Sequence, residues 1–202
     1  MQDISDFTEE QIDALREVSN IGAGHAATAL AQLTDQRIMI SVPEIRVVRA
    51  GEAEAAVGGE GGEVAAVRMS MLGDLTGTTL LMFDKEVALV LCDRMLGREM
   101  GSSSELDDMA ESVLKELGNT LAAAYMNALA KLMGMALMPT VPELLVDSSE
   151  AIIKAALPET DTVLIFETAF RSTDADFEFG GQFMLFPDPG SIRAILDSIN
   201  VA

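Results

Sequence analysis

The stretch EVSNIGAGHAATAL, residues 17–30, holds two arrangements that could do chemistry. One is Gly22-x-Gly24-x-x-Ala27, the spacing of a loop that wraps a phosphate with backbone amides. The other is Glu17 with Asn20, a carboxylate able to hold a cation and an amide that both donates and accepts hydrogen bonds. A phosphate-wrapping glycine turn must follow a strand and open a helix. Here the glycines come after three turns of helical sequence, where every amide already has an intrahelical partner, so that reading fails. Each glycine costs a helix about 1 kcal/mol relative to Ala. Gly22, with Ala23, Ala26 and Ala27, instead suits close packing against a neighbour. On a helical wheel Asp13, Glu17, Asn20 and Gly24 form a narrow stripe, opposite a core face of Leu15, Val18, Gly22, Ala29 and Leu33. By itself the stripe is either a solvated helix face or a polar pair held out for a partner.

A second copy of the stripe exists. Placing Asp13 over Ser112, an offset of 99, aligns residues 15–47 with 114–146 without a gap and gives thirteen identities in 33 positions. Glu17 and Asn20 recur as Glu116 and Asn119, and Pro43 recurs as Pro142 at the same distance downstream. The surroundings read as exposed differ, with Ser19 against Gly118 and Thr28 against Asn127, while the acid and amide are kept. The second core face reads Leu114, Leu117, Leu121, Ala128 and Leu132, with Tyr125 at its margin. The chain therefore reads as one unit written twice, about 1–100 and 101–202, in a single domain.

The elements that must carry these residues follow from pattern. Thr8 with Gln11 is a capping-box signature, and apolar periodicity runs on to about Thr34. The second helix is expected after Ser102–Ser104 and ends near Gly134. Short β-rich runs follow each helix: RIMISVPEIRVV, GEVAAVRMSML and GTTLLMF, then ALMPTVPELLVD, TVLIFETAFR and GGQFMLFP. EAEAAVGGEGGE reads as a loop or hairpin, SSEAIIKAAL as a capped amphipathic helix, and a shorter helix closes each half. The expected fold is α+β with pseudo-two-fold symmetry, two long helices lying over a shared β-sheet.

Composition limits the rest. A net charge of -20 argues against a nucleic-acid backbone as partner. The lysine-poor acidic surface is of a kind suited to a salt-rich cytoplasm. Cys92 stands alone, so no disulfide can form within the chain. The start is polar and acidic, unlike a secretory signal, and no apolar run reaches the roughly 18 residues of a membrane span. A cytoplasmic protein without membrane insertion is expected. His25 is the sole histidine and has no clustered partners, so no metal site and no Ser-His-Asp arrangement is expected.

The pattern [Asp/Ser]-x3-Glu-x2-Asn-x22-Pro, met as Asp13, Glu17, Asn20, Pro43 and as Ser112, Glu116, Asn119, Pro142, resembles the signature of the CheC/CheX/FliY family of chemotaxis phosphatases. NIGAGHAATAL and ISVPEI, with two intact motifs, are similar to its CheC branch. The resemblance implies hydrolysis of the aspartyl phosphate on the response regulator CheY. Asn20 and Asn119 would each orient the attacking water. Glu17 and Glu116 would pair with the regulator's lysine. Asp13 and Ser112 would support the contact, and Pro43 and Pro142 would set the backbone beside it. Mg²⁺ would belong to CheY, with no cofactor of the chain's own. The resemblance also implies binding of CheD, a receptor deamidase, around Asp147 to Ala156, with Asp147 as candidate contact and helix capping as its plain alternative. The second copy, with the more Leu-rich face, is expected to be at least as active as the first. A second reading keeps the surface without useful turnover, as a binding module for phosphorylated CheY or CheD.

Overall fold

Thr8 and Gln11 open the first helix as a reciprocal cap: the Thr8 N–H donates to Gln11 Oε1 at 2.8 Å and the Gln11 N–H to Thr8 Oγ1 at 3.2 Å. The computed structural model describes residues 7–34, 38–42, 44–57, 62–156, 162–172 and 177–199. The first half runs α1 (Glu9–Thr34), β1 (Ile38–Ser41), β2 (Ile45–Arg49), α2 (Ala53–Val57), β3 (Glu63–Gly73), β4 (Gly77–Asp84) and α3 (Lys85–Met95). The second runs α4 (Asp108–Met133), β5 (Leu137–Pro139), β6 (Glu143–Ser148), α5 (Ser149–Ala156), β7 (Thr162–Ser172), β8 (Phe177–Pro187) and α6 (Pro189–Ile199). The order α-β-β-α-β-β-α thus occurs twice. Both long helices have 26 residues, about 39 Å at the helical rise.

One antiparallel sheet joins the halves, in the order β1-β7-β8-β4-β3-β5, with β2 also on β7 and β6 also on β3. Strands β1 and β2 of the first half therefore pair with the second, and β5 and β6 pair with the first. Side chains alternate across this sheet with the period of a strand. Ala65, Val67, Met69 and Met71 of β3 face the core under α1, α3, α4 and α6. Val64 and Ala66 face a second core under α2 and α5. The α+β fold with two long helices over a shared sheet is as expected.

Three details differ from what the sequence pattern predicts. Tyr125 is core rather than margin: it is buried, its ring centroid lies 4.7 Å from that of Phe183 and 6.3 Å from that of Phe166, and burial pushes its phenol up to about 12. Ser19 and Gly118 are buried, not exposed. Ser19 satisfies its hydroxyl on the Leu15 carbonyl. Gly118 is where α4 presses on β3. Part of the expected loop, Ala53–Val57, is helical, because its Ala-rich run buries Ala53 in the second core. The Val18 and Leu33 side chains are not among those described, while Leu15, Leu114, Leu117 and Leu121 are buried as expected. Cys92 is also buried, which raises its thiol to about 12.

The segment between the halves fixes where α4 begins. Asp107 caps the helix by accepting from the Ala110 N–H at 2.8 Å, and Arg98 pairs with Asp107 at 2.8 Å. Asp93 accepts from the hydroxyl and the N–H of Ser103. The helix ends at Gly134, whose φ of 67° is the left-handed conformation that favours glycine.

A Cβ at Gly118 would lie 2.5 Å from Val67 Cγ1, whereas one at Gly24 meets nothing within 4 Å. Gly118→Ala is therefore expected to destabilise by about 1–3 kcal/mol and Gly24→Ala to stabilise by about 0.5–1 kcal/mol, read from denaturant unfolding midpoints. The Ser103 hydroxyl holds the Asp93 carboxyl below its ordinary range, helped by backbone amides of Ser103, Gly101 and Ser102, and the Ala110 N–H followed by Arg98 does the same for Asp107. A depressed folded value stabilises above the unfolded pKa, about 3.9, and that contribution vanishes as pH falls through the folded value. Ser103→Ala should accordingly cost more stability at pH 7 than at pH 3, measured by urea unfolding at both.

Candidate functional site

The two long helices present the acid–amide pairs on their outer faces. Asp13, Glu17, Asn20 and Gly24 are all exposed on α1; Ser112 and Glu116 are exposed on α4 and Asn119 is half-buried. A 26-residue helix backed by a packed core is a stiff mount, so each pair is held rather than draped. Among the described residues, the Glu17 and Glu116 carboxylates form no ion pair and no hydrogen bond. Their neighbours are largely spoken for: Asp13 pairs with Arg16 at 2.5 Å, Glu111 pairs with Lys115 at 2.5 Å, and Ser112 donates to the Asp108 carbonyl at 2.9 Å. What remains open beside each amide is an exposed carboxylate on an acidic surface, which suits a cation on a partner.

The two amides differ. Asn20 donates to the carbonyls of Arg16 (3.0 Å) and Val42 (3.4 Å) and accepts from the Val42 N–H at 2.9 Å. It thereby satisfies both backbone groups of a residue only 1 % exposed. The Asn119 amide makes no hydrogen bond to any described residue. Val141, which stands to Asn119 as Val42 does to Asn20, is 86 % exposed. The sequence shows the same residue at both positions and gives no signal of this difference.

The other expected residues fall as follows. Pro142 is half-buried at the turn before β6, and Pro43 lies outside the described residues. Asp147 is exposed at the end of β6 and accepts from the Ser148 N–H at 2.7 Å. The cap of α5 is instead Ser148, whose hydroxyl accepts from the Ala151 N–H at 3.3 Å. His25 is exposed and lines a groove of about 660 Å³ between α1 and α4, with Ile21, Thr120, Asn127 and Lys131. Gly22 does the close packing, as expected: a Cβ there would lie 3.1 Å from the Tyr125 ring and 3.2 Å from Ala128 Cβ. Among the described residues, no three His, Cys, Asp or Glu side chains gather to hold a metal ion, and no helix is long and apolar enough to cross a membrane.

This architecture is shared with solved structures. FliY from Thermotoga maritima superposes with a TM-score of 0.80 over 96% of this chain and 97% of that one at 20% identity, and the FliM middle domain from H. pylori with 0.67 over 95% and 99% at 14%. At such identities the likeness concerns the fold. In sequence, a model described as the CheC-like family matches residues 10–46, and one described as chemotaxis phosphatase CheX matches residues 65–167. The protein named CheY-P phosphatase CheC of Bacillus subtilis is 34% identical over 96% of each chain. A Halobacterium salinarum protein named putative CheY-P phosphatase CheC1 is 22% identical over 94% of this chain and 96% of its own. The chain belongs to the CheC-like family.

Asn20 and Asn119 should separate in their effect on stability. Asn20→Ala strips the acceptor from the buried Val42 N–H and is expected to cost about 1–3 kcal/mol. Asn119→Ala breaks no internal bond and should stay within about 0.5 kcal/mol of the parent in the same chemical unfolding experiment.

Proposed function

We propose that this protein is a chemotaxis phosphatase that hydrolyses the aspartyl phosphate of the response regulator CheY in the cytoplasm. One domain of two repeats would present two acid–amide pairs to that partner. The observation that carries the reading is the second pair: a free carboxylate and a free amide, three residues apart on one rigid helix. Glu116 would take the regulator's lysine and set the docking register. Asn119 would then enter the regulator's site and accept a hydrogen bond from a water in line with the phosphorus. That water attacks, the bond between phosphorus and the aspartyl oxygen breaks, and the products are inorganic phosphate and a carboxylate. No covalent group on this chain is required, because positioning and charge do most of the work in phosphoryl transfer. Mg²⁺ would come with CheY, as part of the substrate.

The first pair has the same letters but an occupied amide. Glu17 can hold a lysine as Glu116 does, but Asn20 would have to release Val42 before it could orient water. Asp13 and Ser112 would edge the contact, and Pro142 and Pro43 would set the backbone beside each pair. The same family reading carries CheD to the outer side of α5, where Asp147, Glu150 and Lys154 are open to solvent.

The test is phosphate loss from phosphorylated CheY with the parent, the two single variants and the double variant. Asn119→Ala is expected to lower kcat by at least about tenfold, and Asn20→Ala by less than about threefold at matched folded protein. The double variant should return the regulator to its own rate. A double variant as fast as the parent refutes the phosphatase reading, and a parent that binds without accelerating loss replaces it with a binding module.

A further inference from the structure

The difference between the two amides goes with a difference in the strand that follows each helix. In the first half, Ser41 sits in the ordinary ladder of β1 opposite Ala169 of β7. The chain then continues inward, Val42 is buried, and Asn20 closes on it. In the second half, β5 pairs with β3 from Leu137 to Pro139, opposite Gly73, Leu72 and Met71. The next rung is altered. The Thr140 N–H donates to the Ser70 carbonyl at 2.9 Å, but the Ser70 N–H donates at 2.9 Å to the hydroxyl of Thr140. The side chain has taken the acceptor position that a regular antiparallel rung gives to the backbone carbonyl.

With Ser70 satisfied in this way, the Thr140 carbonyl is released from the ladder and the chain is free to turn outward. It does: Val141 is 86 % exposed where Val42 is 1 % exposed. No hydrogen bond joins Asn119 to either backbone group of Val141, and the amide is left open. We infer that Thr140 is a positioning residue of the second site, whose hydroxyl holds the strand end in the turned-out path and so keeps Asn119 free to act. The inference rests on the phosphatase reading for its consequence, but the geometry it asserts can be tested without the regulator.

Two measurements decide it. The first uses a Glu17→Ala background, which leaves Asn20 clamped to Val42 while removing the docking carboxylate of the first site. In that background Thr140→Val, the same shape without an acceptor, should lower kcat on phosphorylated regulator by about tenfold or more, as expected for a misplaced orienting group, with KM changed less than about twofold. Thr140→Ser keeps the hydroxyl and should restore the rate. The second follows hydrogen exchange of the asparagine side-chain amides by NMR on the isolated chain. In the parent, Asn20 should be protected and Asn119 should exchange freely. In Thr140→Val, Asn119 should gain protection as the strand end folds back, and in Thr140→Ser it should not. Unchanged exchange at Asn119 in Thr140→Val, or a serine variant as impaired as the valine variant, overturns the assignment. If the parent itself leaves the regulator's phosphate untouched, the phosphatase reading fails while the exchange data still decide the geometry.

Discussion

Gly22 brings the backbone of α1 against Ala124 and Ala128 of α4, and Tyr125 fills the space beside that contact. Even a Cβ at position 22 would lie 3.1–3.2 Å from these neighbours, so the helices meet there about as closely as a glycine allows. Tyr125 in turn packs on Phe166 of β7 and Phe183 of β8, so the meeting point of the helices is registered on the centre of the sheet. Gly118 performs the corresponding service between α4 and β3. These close approaches determine where the outer faces of both helices stand. Glu17 and Asn20, and Glu116 and Asn119, inherit their positions from them. Chemistry that depends on aiming a water at phosphorus tolerates little error, and a misplacement near 1 Å can cost about 10²-fold in rate. A mount fixed by backbone contact is suited to that demand.

The sheet adds a second constraint. Strands β1 and β2 complete their ladders on β7, and β5 and β6 complete theirs on β3. Each acid–amide pair therefore stands beside a strand that the opposite half holds in place. Val42, the partner of Asn20, follows a strand anchored to the second half. Val141 follows a strand anchored to the first. A change in β3 or β7 can thus reach a pair that lies in the other copy. The two halves are less like two independent sites than like two frames, each braced by its neighbour.

Much of this is legible in the sequence because it depends on local chemistry. Both long helices are declared by Thr8 with Gln11, by the Ser102–Ser104 run, and by Gly134. The major strands follow from apolar runs of the right length, and the outward stripe follows from helical spacing. The features that escape depend on what lies across space. Tyr125 stands about 20° round the helical wheel from Leu114, on the core face, and two phenylalanines from distant strands complete its surroundings. Ser19 and Gly118 lie about 40° round the helical wheel from Leu15 and Leu114, on the core side; their small or polar types conceal this until contact with Leu15 and Val67 is seen. Ala53–Val57 is hidden by the glycines after it, although its alanines are good helix formers. The occupied state of Asn20 is invisible for the same reason, since Val42 lies twenty-two residues downstream and nothing in the letters fixes the path of the chain beyond β1.

Fold alone does not select an activity here, because the same architecture occurs in the FliM middle domain as well as in FliY. The selection has to come from a few side chains and their hydrogen-bond partners. On the phosphatase reading, a free carboxylate in each copy lets either helix capture a lysine, while only the second copy also offers an amide with no hydrogen bond to any described residue. The first site as built would bind, and the second would bind and aim. Shared ancestry explains why both copies retain the residues. It does not require both to retain the job, because an asparagine that clamps a buried backbone is kept for stability even where it never meets a substrate. Repetition of a motif is therefore a weak count of working sites, and the state of the amide is the stronger one.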